Sequence, residues 1–463
     1  MKRSPFRLLA LAFLVLSVVD SLAADFSGTW QARLQFMKFD IRIVFRFEKK
    51  PDGTWSGTAQ SPDQSKVVSD MDEVWIEGDS LALEISEWNA TYNGRFNPDS
   101  NAIFGRMMQR GFKVPVKLLK GEEDDLLYDR PQRPRPPFNY RSEEVRIVNN
   151  TDGDTLAGTL TIPNGKGPFP VAVMITGSGQ QDRDETVFGH KPFLLIADRL
   201  AQKGIAVLRC DDRGAGKSTG DASTITLNGM ANDVRAQLAF LRKRKDVDRK
   251  HIGLIGHSEG GIIGPLVASE DKKIAFVVML GGPTIDFFDL LLAQDSLSLK
   301  ADGKSRKEID KLVKTNSALF TIMKTANDSV STQERIVEYL ESTKASDAEM
   351  EMAIRQLCSP LMTSYVGYDP AASLRKMKCP VLALYGEKDV QVPPEINTPV
   401  LETIFKESGR STSEVKVLSG LNHLFQPCKK GAVSEYVDIP ITMDPSALVA
   451  IETWLTDRVF SKK

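Results

Sequence analysis

The chain has 463 residues, of which 41% are hydrophobic and 26% charged, with a formal net charge of −1. That is material for two or three domains with their own cores, and it excludes a low-complexity or disordered chain. The near-neutral balance gives no reason to expect nucleic acid or an anionic membrane as partner.

Residues 1–23 stand apart. Lys2, Arg3 and Arg7 precede an apolar run from Leu8 to Val19, and Ser21-Leu22-Ala23 offers small residues for cleavage. This is the pattern of a secretory signal peptide, and the run falls short of the roughly 20 residues a membrane span requires. The expectation is an exported protein, periplasmic or secreted, without a stable membrane span. Loss of the segment removes three basic residues and one acid, leaving a net charge of −3. The chain has four cysteines, Cys210, Cys358, Cys379 and Cys428. Four cysteines allow three pairings, between which spacing does not choose. Cys210 and Cys379 border apolar strands and read as buried thiols. Neither the cysteine spacing nor the histidine supply makes a ligand pattern, so no metal and no cofactor is expected.

Residues 24–120 read as a small antiparallel β-meander or open barrel. Phe39–Phe47 largely alternates, as do Leu81–Ile85 and Val114–Leu118, with turn signals at Pro51-Asp52-Gly53, Glu77-Gly78-Asp79 and Asn97-Pro98-Asp99. Trp30, Trp55, Trp75, Trp88 and Phe104 are expected to form its core, in a packing and positioning role rather than around a ligand. Residues 121–140 read as a linker, stiff and extended where Pro131–Pro137 is proline-rich.

Residues 141–463 change to alternating strands and helices, the mark of an α/β sheet. The predicted strands are Thr155–Ile162, Pro170–Ile175, Ile205–Arg209, His251–Ile255, Ile274–Leu280, Val381–Tyr385 and Glu414–Leu418. Helices are predicted over Phe193–Gln202, Met230–Leu241, Ile262–Ala268 and Ala447–Leu455. From about 283 to 376 no strand interrupts, and helical spacing at Ile309–Val313 and Ile336–Leu340 predicts a helical lid.

The segment that decides the chemistry is Gly256-His257-Ser258-Glu259-Gly260-Gly261. An apolar strand runs into Gly-x-Ser-x-Gly and a small-residue helix follows, the context of a nucleophile elbow. A serine nucleophile needs a base and an orienting acid. Of four histidines, His257 adjoins the serine and cannot fold back onto it, His251 opens a strand behind it, and His190 lies in a loop before a helix. His423 follows the last strand closely enough for a loop to bring it over the sheet edge. The acid should lie between serine and histidine in the chain. Asp389, just after the strand Val381–Tyr385, is preferred to its neighbour Glu387, and Asp369 reads as a turn former. For the oxyanion hole, one N–H should come from Glu259. The other should come from the loop after Ile175, by preference Ser178, then Gly179. In that loop Asp182-Arg183-Asp184-Glu185 either braces the backbone through ion pairs or touches substrate.

Gly216-Lys217-Ser218 invites comparison with a phosphate-binding loop. That motif needs a glycine where Asp211 stands, and two acids there would repel phosphate. The segment Asp211–Ser218 is expected to be a turn tied by an Asp–Arg pair.

Taken in order, Gly-His-Ser-Glu-Gly-Gly, Gly-Ser-Gly-x-x-Asp-Arg-Asp-Glu, Asp-Asp-Arg-Gly-x-Gly-x-Ser, Gly-Glu-Lys-Asp and Asn-His-Leu-Phe-Gln resemble exported bacterial carboxylesterases of the α/β-hydrolase superfamily. The resemblance covers residues 140–463, and the N-terminal segment with Ser61-Pro-Asp-Gln64 is similar to the extra β-domain such esterases carry. It departs from the family at Cys210, where a tyrosine is usual, and in having Cys428 just after the histidine loop. It implies ester hydrolysis by Ser258, His423 and Asp389. The expected substrate is a small-molecule or glycan ester with a short acyl group, acetyl above all. A serine peptidase of the same fold would need carboxylates to capture a free amine. The lid offers Glu308, Glu334, Glu338 and Glu341, whose spacing suits a solvated face equally well. A binding protein on a dead scaffold would lack a triad member, and none is missing.

Overall fold

The computed structural model describes residues 25–36, 39–61, 68–109, 112–121, 130–326 and 328–460. The expected signal peptide and Pro62–Gln64 lie outside them. The chain divides into two units, residues 1–129 and 130–463.

The first unit is one antiparallel sheet. Its strands are β1 (Gly28–Phe36), β2 (Phe39–Lys49), β3 (Trp55–Gln60), β4 (Val68–Asp70), β5 (Glu73–Glu77), β6 (Ser80–Ile85), β7 (Ala90–Asn97), β8 (Ala102–Gln109) and β9 (Phe112–Lys120). They lie in the order β4-β3-β2-β1-β9-β8-β7-β6-β5, a meander whose first and last strands pair. Its core holds Phe26, Trp30, Phe45, Phe47, Tyr92 and Ile103, with Trp55 and Trp88 packed at its edge. The expected aromatic core is corrected at two positions, since Trp75 and Phe104 are 52% and 48% exposed. The period of two explains both. Val74 and Ile76 pack against the core, which turns Trp75 outward, and Ile103 does the same to Phe104.

The second unit is a doubly covered, mostly parallel sheet, the α/β-hydrolase fold. Its strands are β10 (Tyr140–Val148), β11 (Thr155–Pro163), β12 (Phe169–Ile175), β13 (Ala206–Cys210), β14 (Val247–His257), β15 (Val277–Leu280), β16 (Val381–Gly386) and β17 (Glu414–Leu418). The order is β10-β11-β13-β12-β14-β15-β16-β17. The β10–β11 and β11–β13 pairs are antiparallel, and from β13 to β17 every pair is parallel. Alternate residues of one strand serve two cores. Val171, Val173 and Ile175 pack under the helices α2 (Leu227–Lys243) and α3 (Gly260–Glu270). Ala172 and Met174 pack under α1 (Pro192–Gln202) and α11 (Pro445–Trp454). Burial on both faces is why these strands read as unbroken apolar runs.

Between β15 and β16 the regular elements among the described residues are all helices: α4 (Phe287–Ala301), α5 (Arg306–Thr325), α6 (Ser329–Ser342), α7 (Asp347–Leu357), α8 (Pro360–Ser364) and α9 (Pro370–Lys376). Their starts are written in the sequence. Ser305 with Glu308, and Ser346 with Glu349, form reciprocal capping boxes. Asp369 caps α9 by accepting the N–H of Ala371 at 2.9 Å. β10 and the helix α10 (Pro394–Ser408) were not expected from the pattern. β10 is an edge strand whose residues are mostly exposed, and α10 carries two prolines, so neither shows a clean period.

The segment from Arg130 is tied down on the second unit rather than free. The buried Arg130 guanidinium donates to the carbonyls of Phe188, Val437 and Ile439. Gln132 accepts from the N–H of Thr442 at 2.7 Å. All four cysteines are free thiols. Among the described residues no helix is long and apolar enough to cross a membrane.

Candidate active site

The parallel strands end along one edge, and the candidate residues gather there. β14 stops at His257 and α3 starts at Gly260, leaving Ser258 and Glu259 to make the turn. Ser258 has φ +51°, left-handed backbone that residues with a Cβ rarely adopt. The turn is held by the Ser258 N–H donating to Leu280 O at 2.9 Å and the Gly261 N–H donating to Ser258 O at 2.8 Å. A Cβ on Gly256 would overlap the Gly260 carbonyl, and one on Gly260 would overlap the backbone of Ile175. Strand, turn and helix therefore touch through backbone, which fixes where the serine stands.

Asp389 and His423 meet at the ends of β16 and β17. Both are 3% exposed. His423 Nδ1 lies 2.7 Å from Asp389 Oδ2. Asp389 Oδ1 accepts the N–H groups of Gln391 at 2.9 Å and Val392 at 2.8 Å. A carboxylate only accepts, so Nδ1 carries the proton and Nε2 is left as the basic nitrogen. The loop is held by Asn422, whose Oδ1 accepts the Gln426 N–H at 2.8 Å. Gly281, one residue past β15, backs this pair: a Cβ there would stand 3.0 Å from the His423 ring. Glu387, the rival carboxylate, is exposed and accepts from Ser419 Oγ and the Gly420 N–H, both at 2.7 Å.

The other histidines have different surroundings. His251 pairs with Asp248 at 2.7 Å. His190 is fully buried between Thr442 and the Tyr436 carbonyl, and burial pushes its pKa down to about 4. His257 is tied to the site. Its Nε2 donates to the His423 carbonyl at 3.2 Å, and its Nδ1 lies 2.8 Å from Glu185 Oε1. The same Glu185 oxygen accepts the Gly177 N–H at 2.7 Å. Burial opposes charge on His257, yet Glu185 and the His423 carbonyl more than offset it, and its pKa is raised. This chain from Gly177 through Glu185 and His257 to His423 has no sequence signature. Glu185 sits in a charged tetrapeptide and is aimed inward by a φ of +53°.

The loop after β12 is braced through its charges. Arg183 bonds Asp211 at 2.9 Å and Glu144 at 2.8 Å, and Arg209 bonds Asp184. The Gly177 N–H is occupied by Glu185. Among the described residues the N–H groups of Ser178 and Glu259 meet no protein acceptor, and Gly179, at φ +90°, lets the loop turn away. The Asp211–Ser218 turn is tied both within itself and to other segments. Asp211 accepts the Lys217 N–H at 2.9 Å, and Arg213 bonds Asp152, Asp154 and Asp233 at 2.7–2.9 Å.

The lid reaches the elbow through Tyr365, whose hydroxyl donates to Glu259 Oε1 at 2.6 Å. Its ring stacks on Phe287 at 3.8 Å between centroids. Burial raises the Glu259 pKa, with the Tyr365 bond opposing. Glu308, Glu334, Glu338 and Glu341 of the lid are exposed, as a solvated face would have them.

The chain belongs to the hydrolase family of serine aminopeptidases, S33, whose model matches residues 192–426. It is 29% identical over 290 residues to esterase EstD of Thermotoga maritima, covering 62% of this chain. This chain spans only 61% of that esterase's own length. It is 28% identical over 180 residues to acyl-coenzyme A thioesterase 3 of mouse, covering 39% of this chain and 38% of the thioesterase. Among solved structures, an esterase of Pyrococcus furiosus aligns with 72% of this chain and 98% of its own, at 16% identity and a TM-score of 0.43.

Proposed function

We propose that the protein is a serine hydrolase of carboxylic esters, with Ser258 as nucleophile, His423 as base and Asp389 as orienting acid. The observation that carries this reading is the buried Asp389–His423 pair, at 2.7 Å, on the same sheet edge as a serine in left-handed backbone. In this reading Ser258 Oγ attacks the ester carbonyl carbon while His423 Nε2 takes the hydroxyl proton. The N–H groups of Glu259 and Ser178 hold the oxyanion, with Gly179 next to them. Collapse breaks the bond to the alcohol, which leaves with the proton from His423. Water then attacks the acyl-enzyme by the same steps. Likeness to an esterase and a thioesterase supports acyl transfer to water.

The preferred substrates are acetyl and other short acyl esters, of small molecules or acetylated glycans. We also propose export from the cytoplasm: the pattern of residues 1–23 supports a cleaved leader, with Ala24 as the expected first residue of the mature protein. N-terminal sequencing of the exported protein checks the latter. The family's peptidases supply the second reading. Esters are the easier target, because an alkoxide leaves without the full protonation an amine requires. The deciding measurement is kcat/KM on acetyl, butyryl and octanoyl p-nitrophenyl esters beside an aminoacyl-nitroanilide. Highest efficiency on acetyl is expected. A preference for the anilide overturns the esterase reading, and a preference for octanoyl overturns only the short-acyl part.

A further inference from the structure

Beside the elbow lies a cavity of about 160 Å³, lined on one side by Gly177, Gly179, Asp212 and Glu259. Its other walls mix apolar residues, Met174, Ile175 and Ile263 among them, with the polar Arg213, Asp233 and Gln237. Pockets for drug-sized ligands run from about 300 to 1,000 Å³, so this one suits a group of a few heavy atoms.

The ionic pairing around the cavity is incomplete. Asp211 is matched by Arg183, and Asp233 by Arg213. Arg213 is already shared among three carboxylates, so it offers little to an anion. Asp212 and Glu259 are different. Among the described residues the Asp212 carboxylate accepts only from Thr176 Oγ1 at 2.6 Å and the Gln181 N–H at 2.9 Å. Glu259 is 4% exposed. Its Oε1 takes the Tyr365 hydroxyl, while its Oε2 accepts nothing from the described residues. Neither carboxylate makes an ion pair among the described residues. Burial pushes Asp212 up to about 7, with the charges of Glu185 and Glu259 adding to it.

Two unmatched carboxylates in a half-closed cavity carry an electrostatic cost that a cation would remove. The cost also bears on the chemistry proposed above. Glu259 supplies an oxyanion-hole N–H, so an uncompensated negative charge on its side chain opposes the negative charge that forms in the transition state. A positive group seated in the cavity relieves both. We infer that this cavity is a subsite for a cationic group of the substrate, an alkylammonium whose charge lies between Glu259 and Asp212 and whose methylenes lie on the apolar part of the walls. The inference rests on the serine-hydrolase reading and makes that enzyme selective for positively charged esters. It also places the carboxylates that the lid glutamates do not provide.

The test uses the full-length protein at pH 8, with p-nitrophenyl acetate as reporter and two inhibitors of matched shape, n-butylammonium and n-butanol. The ammonium is expected to inhibit competitively with a constant at least about tenfold lower, the effect of one charge-assisted hydrogen bond. In Glu259→Gln and in Asp212→Asn that ratio should shrink toward one. Reading a ratio cancels changes in overall turnover, and the wild-type comparison decides the matter even where a variant fails to fold. Acetylcholine should likewise exceed its neutral isostere, 3,3-dimethylbutyl acetate, in kcat/KM. Equal inhibition by the two probes, with a fluorophosphonate still labelling Ser258, overturns the subsite and leaves the hydrolase reading intact. Absence of both labelling and turnover overturns the hydrolase reading, and the subsite falls with it.

Discussion

At Ser258, backbone strain and reactivity are opposed. A residue with a Cβ at φ +51° carries a local cost of about 1 kcal/mol that glycine avoids. Ser258→Ala and Ser258→Gly should both abolish fluorophosphonate labelling and lower turnover by about 10⁶-fold. In denaturant titrations the glycine variant should be the more stable of the two by about 1 kcal/mol. The carboxylates separate just as sharply. Asp389→Asn should lower kcat by about 10⁴-fold, because the imidazole then takes the wrong tautomer. Glu387→Gln, at the surface, should leave kcat within about twofold in the same assay. His190 makes a pH prediction. Its folded pKa, about 4, lies below the ordinary value of 6.5. Between those values the unfolded chain binds the proton and the folded one does not, so stability falls as pH drops from about 6.5 to 4 and levels off below. The loss from this residue is of order 3 kcal/mol. The slope of unfolding free energy against pH in that window should flatten in His190→Asn.

The strand–elbow–helix unit depends on backbone contact. Gly260→Ala sets a methyl into the carbonyl end of β12, and neither partner is a side chain that can move aside. Destabilisation of about 3 kcal/mol or more is expected, with loss of probe labelling in whatever remains folded. Cys210→Ala offers a contrast, because it removes a buried thiol without touching the backbone and should leave labelling intact. The elbow also meets the lid, through the Tyr365 hydroxyl on Glu259 and the packing of Leu374 in the core that holds Ile262 and Val267.

For the whole molecule, the sheet and the hydrolase have separate cores, in the clusters around Trp30 and around β12–β14. A chain beginning at Arg130 should therefore fold and keep turnover on p-nitrophenyl acetate. One beginning at Tyr140 should melt several degrees lower, because it loses Arg130 from three carbonyls and Gln132 from the N–H groups of Thr442 and Met443. Thermal midpoints of the two shortened proteins check this. Insolubility of both would mean that the β-unit is needed for the hydrolase to fold.

The sequence by itself determined the features that depend on local pattern. Buried parallel strands show as apolar runs, helix starts show as capping residues, and the elbow shows as glycines flanking Ser258 because no larger residue fits there. Chain order and the short list of histidines single out His423 and Asp389, which the fold brings to 2.7 Å from each other. The aromatic residues of the β-unit were legible as a group but not by direction, since one step of register turned Trp75 and Phe104 outward. Only the tertiary structure decided which charges are matched. Arg183, Asp211, Arg213 and Asp233 cancel one another across distant segments, His257 and Glu185 reach behind His423, and Asp212 and Glu259 have no ion-pair partner among the described residues. Pairing of buried charges depends on which segments the fold brings within a few ångströms, and no spacing along the chain encodes that.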